Sequence, residues 1–284
     1  MFLKFKIFIY NLLFIQPKIW WKLNFDPLIR AQRKNPQLIP IIIINFNQLF
    51  YLKKLVNFLV KRKFENIIII DNLSTYPPLL EYYKTLKGVK VEYMDENYGH
   101  MVFFKNKELQ EKYGKGFYVV TDADIVPNED LPVDFMKQMI LHSIKNWEEI
   151  TKVGFALKID DIPETNKAKD KVLAWEERFW RKDISKNIYD ANIDTTFAIY
   201  KPGYRAIGTH LSFLRAHRFG GVFSAIHGGW YINQENMSEE QKYYKQNHSC
   251  FAVAPDSDKL FYPAVQPEYA SCFSIILYQK PILP

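Results

Sequence analysis

The strongest constraint on this chain is a run of four isoleucines, Ile41-Ile42-Ile43-Ile44, that stops at Asn45-Phe46-Asn47 and is echoed by Ile67-Ile68-Ile69-Ile70, which stops at Asp71-Asn72. A short β-branched run without polar alternation reads as a strand buried on both faces, the habit of parallel sheets. Between the two runs Leu49, Leu52, Leu55, Val56, Leu59 and Val60 recur at helical spacing, so the segment reads as a βαβ unit. The pattern continues with a helix over 76–86, a strand over 89–94, a helix over 101–113 and a strand over 116–121 that runs into Asp122. Such alternation predicts an α/β domain with a mostly parallel central sheet and helices on both faces. Ligands of these sheets bind beyond the carboxyl ends of the strands. The polar residues delivered to that edge are Asn45 and Asn47, then Asp71, Asn72 and Ser74, then Asn97 and Gly99, then Asp122 and Asp124.

Past Asp124 the regularity weakens. A helix is predicted over 135–144, a strand over 153–159, a helix over 173–180 and a strand over 195–200. From 208 to 247 the chain is rich in Gly, His and aromatics and reads as loop with one helix over 238–246. The expected organisation is an amphipathic, basic segment over 1–36, a catalytic domain over 37–250 and an extension over 251–284. Within the domain, 37–127 is a regular half with its polar strand ends on one edge and 128–250 an irregular half.

At 284 residues, with 48% hydrophobic and 16% aromatic content, the chain can bury one large core, which excludes a disordered or collagen-like protein. The net charge of +7 favours anionic partners. Neither a basic-aromatic RNA motif nor zinc-finger spacing is present, so nucleic acid is not expected. Two cysteines, Cys250 and Cys272, cannot make a disulfide framework and read as thiols of a reducing, cytoplasmic compartment. Residues 1–15 are apolar but interrupted by Lys4 and Lys6, too short for a comfortable span and without a small-residue cleavage site. With Lys18, Trp20, Trp21 and Lys22 after it, the stretch 1–25 either lies on an anionic membrane face or packs on the domain.

Asp122-Ala123-Asp124 puts two carboxylates where a buried strand breaks into a loop. Both can turn toward one divalent cation, and hard oxygen ligands suit Mg²⁺ or Mn²⁺ bridging a diphosphate. Isolated, the tripeptide is no more than a turn. Its weight comes from standing fourth in a row of polar strand ends.

The ordered set of motifs resembles the GT-A fold of glycosyltransferases, and within it the family-two type. The residues that carry the likeness are Pro40-Ile41-Ile42-Ile43-Ile44-Asn45, Ile70-Asp71-Asn72-Leu73-Ser74-Thr75, Glu96-Asn97-Tyr98-Gly99-His100 and Thr121-Asp122-Ala123-Asp124-Ile125-Val126-Pro127. Ile193-Asp194-Thr195-Thr196-Phe197 and His227-Gly228-Gly229-Trp230-Tyr231 are similar to stretches of a subgroup. The resemblance implies a nucleotide-sugar donor, with a UDP-sugar favoured, and transfer to a hydroxyl of a glycan or lipid-linked acceptor. It implies that Asp71 binds the base, that Asn45, Ser74, Asn97 and Gly99 line the nucleoside, that Asp122 approaches ribose or metal and that Asp124 holds the metal. His227 resembles a third metal ligand, and His210, Trp230 and Tyr231 fall where an acceptor or sugar is held.

An inverting transfer needs a carboxylate base facing the sugar, and the candidates are Asp194, Glu176 and Glu177. Asp194 is favoured, because such enzymes often keep the base in this segment, whereas the glutamates lie in a helical stretch beside Arg178 and Arg181. Two features depart from the family. Asn45 stands where an acid is usual, and the Gln-x-x-Arg-Trp motif of processive synthases is missing. The rivals are a sugar nucleotidyltransferase, which would need a Gly-rich loop with Arg where Asn45-Phe46-Asn47-Gln48 stands, and a membrane-associated glycan-binding protein without catalysis.

Overall fold

The computed structural model describes residues 16–204 and 213–247. The predicted segments 1–15 and 251–284, and His210, lie outside the described residues. The chain begins with helices α1 (Gln16–Phe25) and α2 (Pro27–Lys34), then β1 (Ile41–Asn45), α3 (Phe50–Lys61), β2 (Ile67–Asp71), α4 (Pro77–Thr85) and β3 (Val89–Tyr93). Two short helices, α5 (Val102–Lys105) and α6 (Lys107–Tyr113), lead to β4 (Tyr118–Asp122) and β5 (Ile125–Pro127). The remainder comprises α7 (Phe135–Lys145), β6 (Lys152–Phe155), α8 (Lys169–Glu176), β7 (Asp183–Ser185), β8 (Ile188–Asp190), β9 (Ala198–Tyr200), β10 (Ala216–Phe219), β11 (Ala225–His227) and α9 (Glu239–Asn247).

Nine strands form one sheet in the order β3-β2-β1-β4-β9-β6-β10-β8-β7, and β5 pairs with β11 in a separate ribbon. The first four strands are mutually parallel, with Ile41 opposite Ile67 and Val119. β6 and β10 are parallel to each other, and β9 inserts antiparallel between β4 and β6. This is the mixed α/β, mostly parallel, Rossmann-like arrangement that the isoleucine runs predict.

Alternation along each strand divides the core. Ile41, Ile43, Ile67, Ile69 and Val119 point to one face, where Leu52, Leu55, Val56 and Leu59 of α3, Leu79 of α4 and Phe135 and Met139 of α7 cover them. Ile42, Ile44, Ile70 and Val120 point to the other, against Val102, Phe103 and Phe104 of α5 and Leu109 of α6. Each fully buried isoleucine contributes about 1.5–3 kcal/mol, so the central strands can carry polar residues at their ends without losing their place.

Five readings change. The strand predicted over 153–159 is β6, which ends at Phe155. The helix predicted over 101–113 is broken at Asn106, whose Oδ1 accepts from the Leu109 amide at 3.0 Å and starts α6 afresh. The helix predicted over 173–180 is α8, starting earlier at Lys169, followed by one 3₁₀ turn over Glu177–Trp180. The strand predicted over 195–200 starts only at Ala198, because Thr195 is turned toward Asp122. The stretch read as loop contains β10 and β11, and a hairpin, β7–β8, precedes it.

Helix α2 is fixed to the beginning of β4 by one buried side chain. Gln32 Nε2 donates to the Phe117 carbonyl at 2.9 Å and its Oε1 accepts from the Phe117 amide at 2.8 Å. Gln32→Leu should therefore cost about 1–3 kcal/mol by stranding a buried amide and carbonyl. Urea unfolding checks this, and a loss below about 0.5 kcal/mol would contradict the pairing as a source of stability.

Candidate functional site

The end of β4 is where the two halves of the chain meet. Thr195 Oγ1 donates to Asp122 Oδ2 at 2.6 Å and the Asp122 amide donates to the Thr195 carbonyl at 3.0 Å, so the 194–195 turn is bolted to a carboxylate 73 residues earlier. Burial pushes the Asp122 carboxyl well above the ordinary carboxylate range. The nearby Asp124 charge adds to the rise, while the Thr195 hydroxyl opposes it. Asp194 keeps its own carboxylate half exposed, and its Oδ2 lies 3.9 Å from His100 Nε2 on the loop after β3. The Asp194 carbonyl accepts from Lys152 Nζ at 2.7 Å. Lys152 is fully buried on β6, and that burial drives its ammonium well below its usual range.

Asp124 and His227 are brought together by the β5–β11 ribbon, in which His227 lies opposite Ile125. Asp124 Oδ2 is 3.5 Å from His227 Nδ1 and accepts from the Gly229 amide at 3.2 Å, while its backbone carbonyl accepts from the Gly228 amide at 2.8 Å. The His227 ring stacks on Trp230 with centroids 4.8 Å apart. Gly228 is required here, since a Cβ would stand 2.3 Å from the Tyr51 ring. Tyr51 is a member of the site that the sequence did not single out. Burial, with help from Asp124 and Glu240, pushes its phenol up to about 12. Tyr231 turns away and donates to Asp161.

The residues expected to line a nucleoside gather at the ends of β1 and β2, where they are mostly engaged with each other. Asp71 Oδ2 accepts from the Ser74 amide at 3.0 Å and its Oδ1 from the Tyr83 hydroxyl at 2.9 Å, and that hydroxyl in turn accepts from Asn45 Nδ2 at 2.8 Å. Asn47 adopts a left-handed backbone with φ 52°, its amide donating to Ser74 Oγ and its Oδ1 accepting from the amides of Thr75 and Tyr76. Asn72 Nδ2 donates to the Gly99 carbonyl, and Asn97 Oδ1 accepts from the Gly99 amide. Three buried atoms on this edge, Asn45 Oδ1, Asn47 Nδ2 and Asn72 Oδ1, make no hydrogen bond within the described residues. Buried polar atoms are rarely left so, and a polar ligand is one way to satisfy them.

The two glutamates are placed elsewhere. Glu176 is buried against Arg218, at 2.8 Å, and Arg218 also donates to the Asn192 carbonyl. Glu177 is exposed and pairs with Arg181. Neither is brought to the row formed by Asp122, Asp124 and Asp194.

Among the described residues no group of three or more His, Cys, Asp and Glu side chains is arranged to hold a metal. The donors at the β4 end are Asp124 and His227, with Asp122 tied to Thr195. His227 Nδ1 is buried and makes no hydrogen bond, so it has a lone pair or proton to offer. One or two carboxylates suffice for Mg²⁺ or Mn²⁺ where substrate phosphates and waters complete the shell, and the imidazole favours Mn²⁺. The residues thus fit such an ion.

No protein-family model matches the chain, and no curated protein matches it. Solved structures that resemble it include a mannosyltransferase from Pyrobaculum calidifontis in complex with GDP-Man and Mn²⁺, at 15% identity and TM-score 0.43, aligned over 67% of this chain and 56% of that one. This chain therefore spans little more than half of that protein's length. Others are a cytidylyltransferase from Leptospira borgpetersenii, at 16% identity and TM-score 0.30 over 49% and 71%, and a glucose-1-phosphate thymidylyltransferase, described as putative, from Bacillus anthracis, at 13% and 0.32 over 72% and 78%. Likenesses this distant assign neither family nor activity.

The burial of the Glu176–Arg218 pair generates a direct prediction. Glu176→Ala should destabilise the protein by about 3–5 kcal/mol, because it leaves the buried guanidinium without its counter-charge. Chemical denaturation measures the loss, and a value under about 1 kcal/mol would mean that the pair is not desolvated as described.

Proposed function

We propose that the chain is a metal-dependent glycosyltransferase of GT-A, family-two-like type, which moves one sugar from a nucleoside-diphosphate donor to a hydroxyl of a glycan or lipid-linked acceptor. The observation that carries this reading is the bolt between Asp122 and Thr195. It holds the half-exposed Asp194 carboxylate at the same strand edge as Asp124, His227 and the unsatisfied amides of β1 and β2.

In this reading the base and ribose lie along Asn45, Asn47, Asn72 and Gly99, with Asp71 shaping the loop that presents them. A UDP-sugar is the favoured donor. Asp124 and His227 hold the divalent ion, Mn²⁺ before Mg²⁺, with Asp122 behind them. When bound, the ion supplies positive charge against the diphosphate. Asp194 faces the sugar from the opposite side, accepts the proton of the acceptor hydroxyl as its oxygen bonds to the anomeric carbon, and so works as the base of an inverting transfer. The bond from that carbon to the diphosphate oxygen breaks, and the nucleoside diphosphate leaves with its electron pair. Lys152 holds the Asp194 backbone in place, and Trp230, stacked on His227, offers a ring face toward the sugar.

Transfer of a nucleotidyl group is the rival on the same kind of sheet, and one contact weighs against it. In that chemistry the loop after β1 and the helix following it must receive phosphates. Here the N-terminus of α3 is already occupied by a carboxylate of the chain itself. Glu240 of α9 accepts from the Leu49 amide at 2.9 Å and from the Phe50 amide at 3.0 and 3.2 Å. An internal anion seated on these amides repels a triphosphate.

The expected result is hydrolysis or transfer from a UDP-sugar that needs Mn²⁺ or Mg²⁺. Asp194→Asn should lower kcat by about 10²–10⁴-fold, the range of a general base, with the donor KM nearly unchanged. A screen of nucleotide sugars by release of nucleoside diphosphate reads this. Wild-type turnover in Asp194→Asn would overturn the assignment of the base.

A further inference from the structure

The amino-terminal helices carry a surface that the sugar-transfer site does not use. On α1, Trp20 and Trp21 are each 61% exposed and Phe25 is 51% exposed. They form one aromatic group, with Trp20 edge-on to Phe25 at 5.6 Å and Trp21 stacked on it at 5.8 Å. Leu28 of α2 and Leu141 of α7 are further exposed apolar side chains, and Leu141 lines the cavity between these helices. Rings of this size left in water are costly unless something covers them.

Beside them lies an open cavity of about 570 Å³ between α2 and α7, lined by Arg30, Arg33, Lys34 and Lys137 together with Pro27 and Leu141. Arg33 is spent on the Leu23 carbonyl, at 2.6 Å. Among the described residues Arg30, Lys34 and Lys137 form no ion pair with a carboxylate, and Lys18 on α1 is likewise exposed without one. The platform is firmly attached, through Gln32 to Phe117 and through Lys22 Nζ to the Pro202 carbonyl at 3.0 Å. Because Gln32 grips the beginning of β4, these helices are anchored at the end of that strand away from Asp122.

We infer that this face of α1, α2 and α7 is a docking surface for an anionic phospholipid bilayer. Trp20, Trp21 and Phe25 would enter the headgroup layer, and Arg30, Lys34 and Lys137 would receive lipid phosphates in the cavity. Charge complementarity selects this occupant: large amphipathic rings flanked by unpaired cations match an interface that is apolar beneath and negatively charged above. Among the described residues no helix is long and apolar enough to cross a membrane, so attachment by this face is to the surface. Anchored at the start of β4, the platform leaves the carboxyl edge of the sheet free of the lipid contact.

The test is co-sedimentation of the full chain with phosphatidylcholine vesicles prepared with and without phosphatidylglycerol, across a salt series. Binding should require phosphatidylglycerol and weaken as salt rises. The triple variant Arg30→Glu, Lys34→Glu, Lys137→Glu should bind roughly tenfold or more weakly, and Trp20→Ala with Trp21→Ala should bind more weakly at every salt concentration. Circular dichroism of both variants should match the parent, since none of the five side chains is buried. No binding of the parent chain to phosphatidylglycerol vesicles would overturn the inference, as would equal binding by the folded triple variant. Binding to phosphatidylcholine alone with no dependence on charge would also refute the role given to Arg30, Lys34 and Lys137.

Discussion

Thr195 reaches Asp122 at 2.6 Å, and the Asp122 amide returns the contact at 3.0 Å to the Thr195 carbonyl. This two-way bond closes the site, because it fastens the irregular second half of the chain onto the last parallel strand of the first. β9 then pairs antiparallel with β4, and β6 follows on the far side of β9, so the sheet continues past the point where its parallel order stops. Without the bolt, Asp194 would keep only the Lys152 contact to its carbonyl. With it, Asp194 is held by both Thr195 and Lys152 while its carboxylate stays accessible.

A second closure is made by α9. Glu240 accepts the first amides of α3, Tyr243 donates to Thr75 Oγ1 at 3.0 Å, and its ring lies 5.0 Å from that of Tyr76. Burial raises the Glu240 carboxyl, and the Leu49 and Phe50 amides oppose that rise. The same carboxylate fixes the helix that presents Tyr51 to Gly228, so the ends of β1 and β2 are linked to the β5–β11 ribbon.

Much of this was legible from residue pattern. The isoleucine runs gave strands because a short run of β-branched side chains buried on both faces is the habit of a parallel sheet, and their polar ends mark the edge on which the candidate site lies. Asp122, Asp124, Asp194 and His227 stood out in the sequence, and the structure places Asp122 against Thr195 and Asp124 beside His227. The hairpin β7–β8 was not, since Asp183–Ser185 is exposed on every residue and has no apolar alternation; the left-handed Asn187 at its turn was the one available signal. β10 was hidden for the opposite reason. His217 and Arg218 are buried in it, and their polarity masks a core strand because Glu176 and His142 satisfy them from distant parts of the chain. Glu240 could not have been assigned at all, for its partners are 190 and 191 residues away. Long-range polar pairing of this kind leaves no local periodicity. Asp71 differs, because its contacts are local: Ser74 is three residues on and Tyr83 twelve, the range of an ordinary turn acid.

The central claim is that the end of β4, with His227 beside Asp124, binds a nucleoside diphosphate together with a divalent ion. Calorimetric titration of UDP into the protein with and without Mn²⁺ tests it most directly, repeated on His227→Ala. Binding should be strong only with Mn²⁺, and most of that dependence should be lost in His227→Ala, with the fold intact by circular dichroism. UDP affinity that is the same with and without the ion, or left unchanged by removing the imidazole, would contradict it.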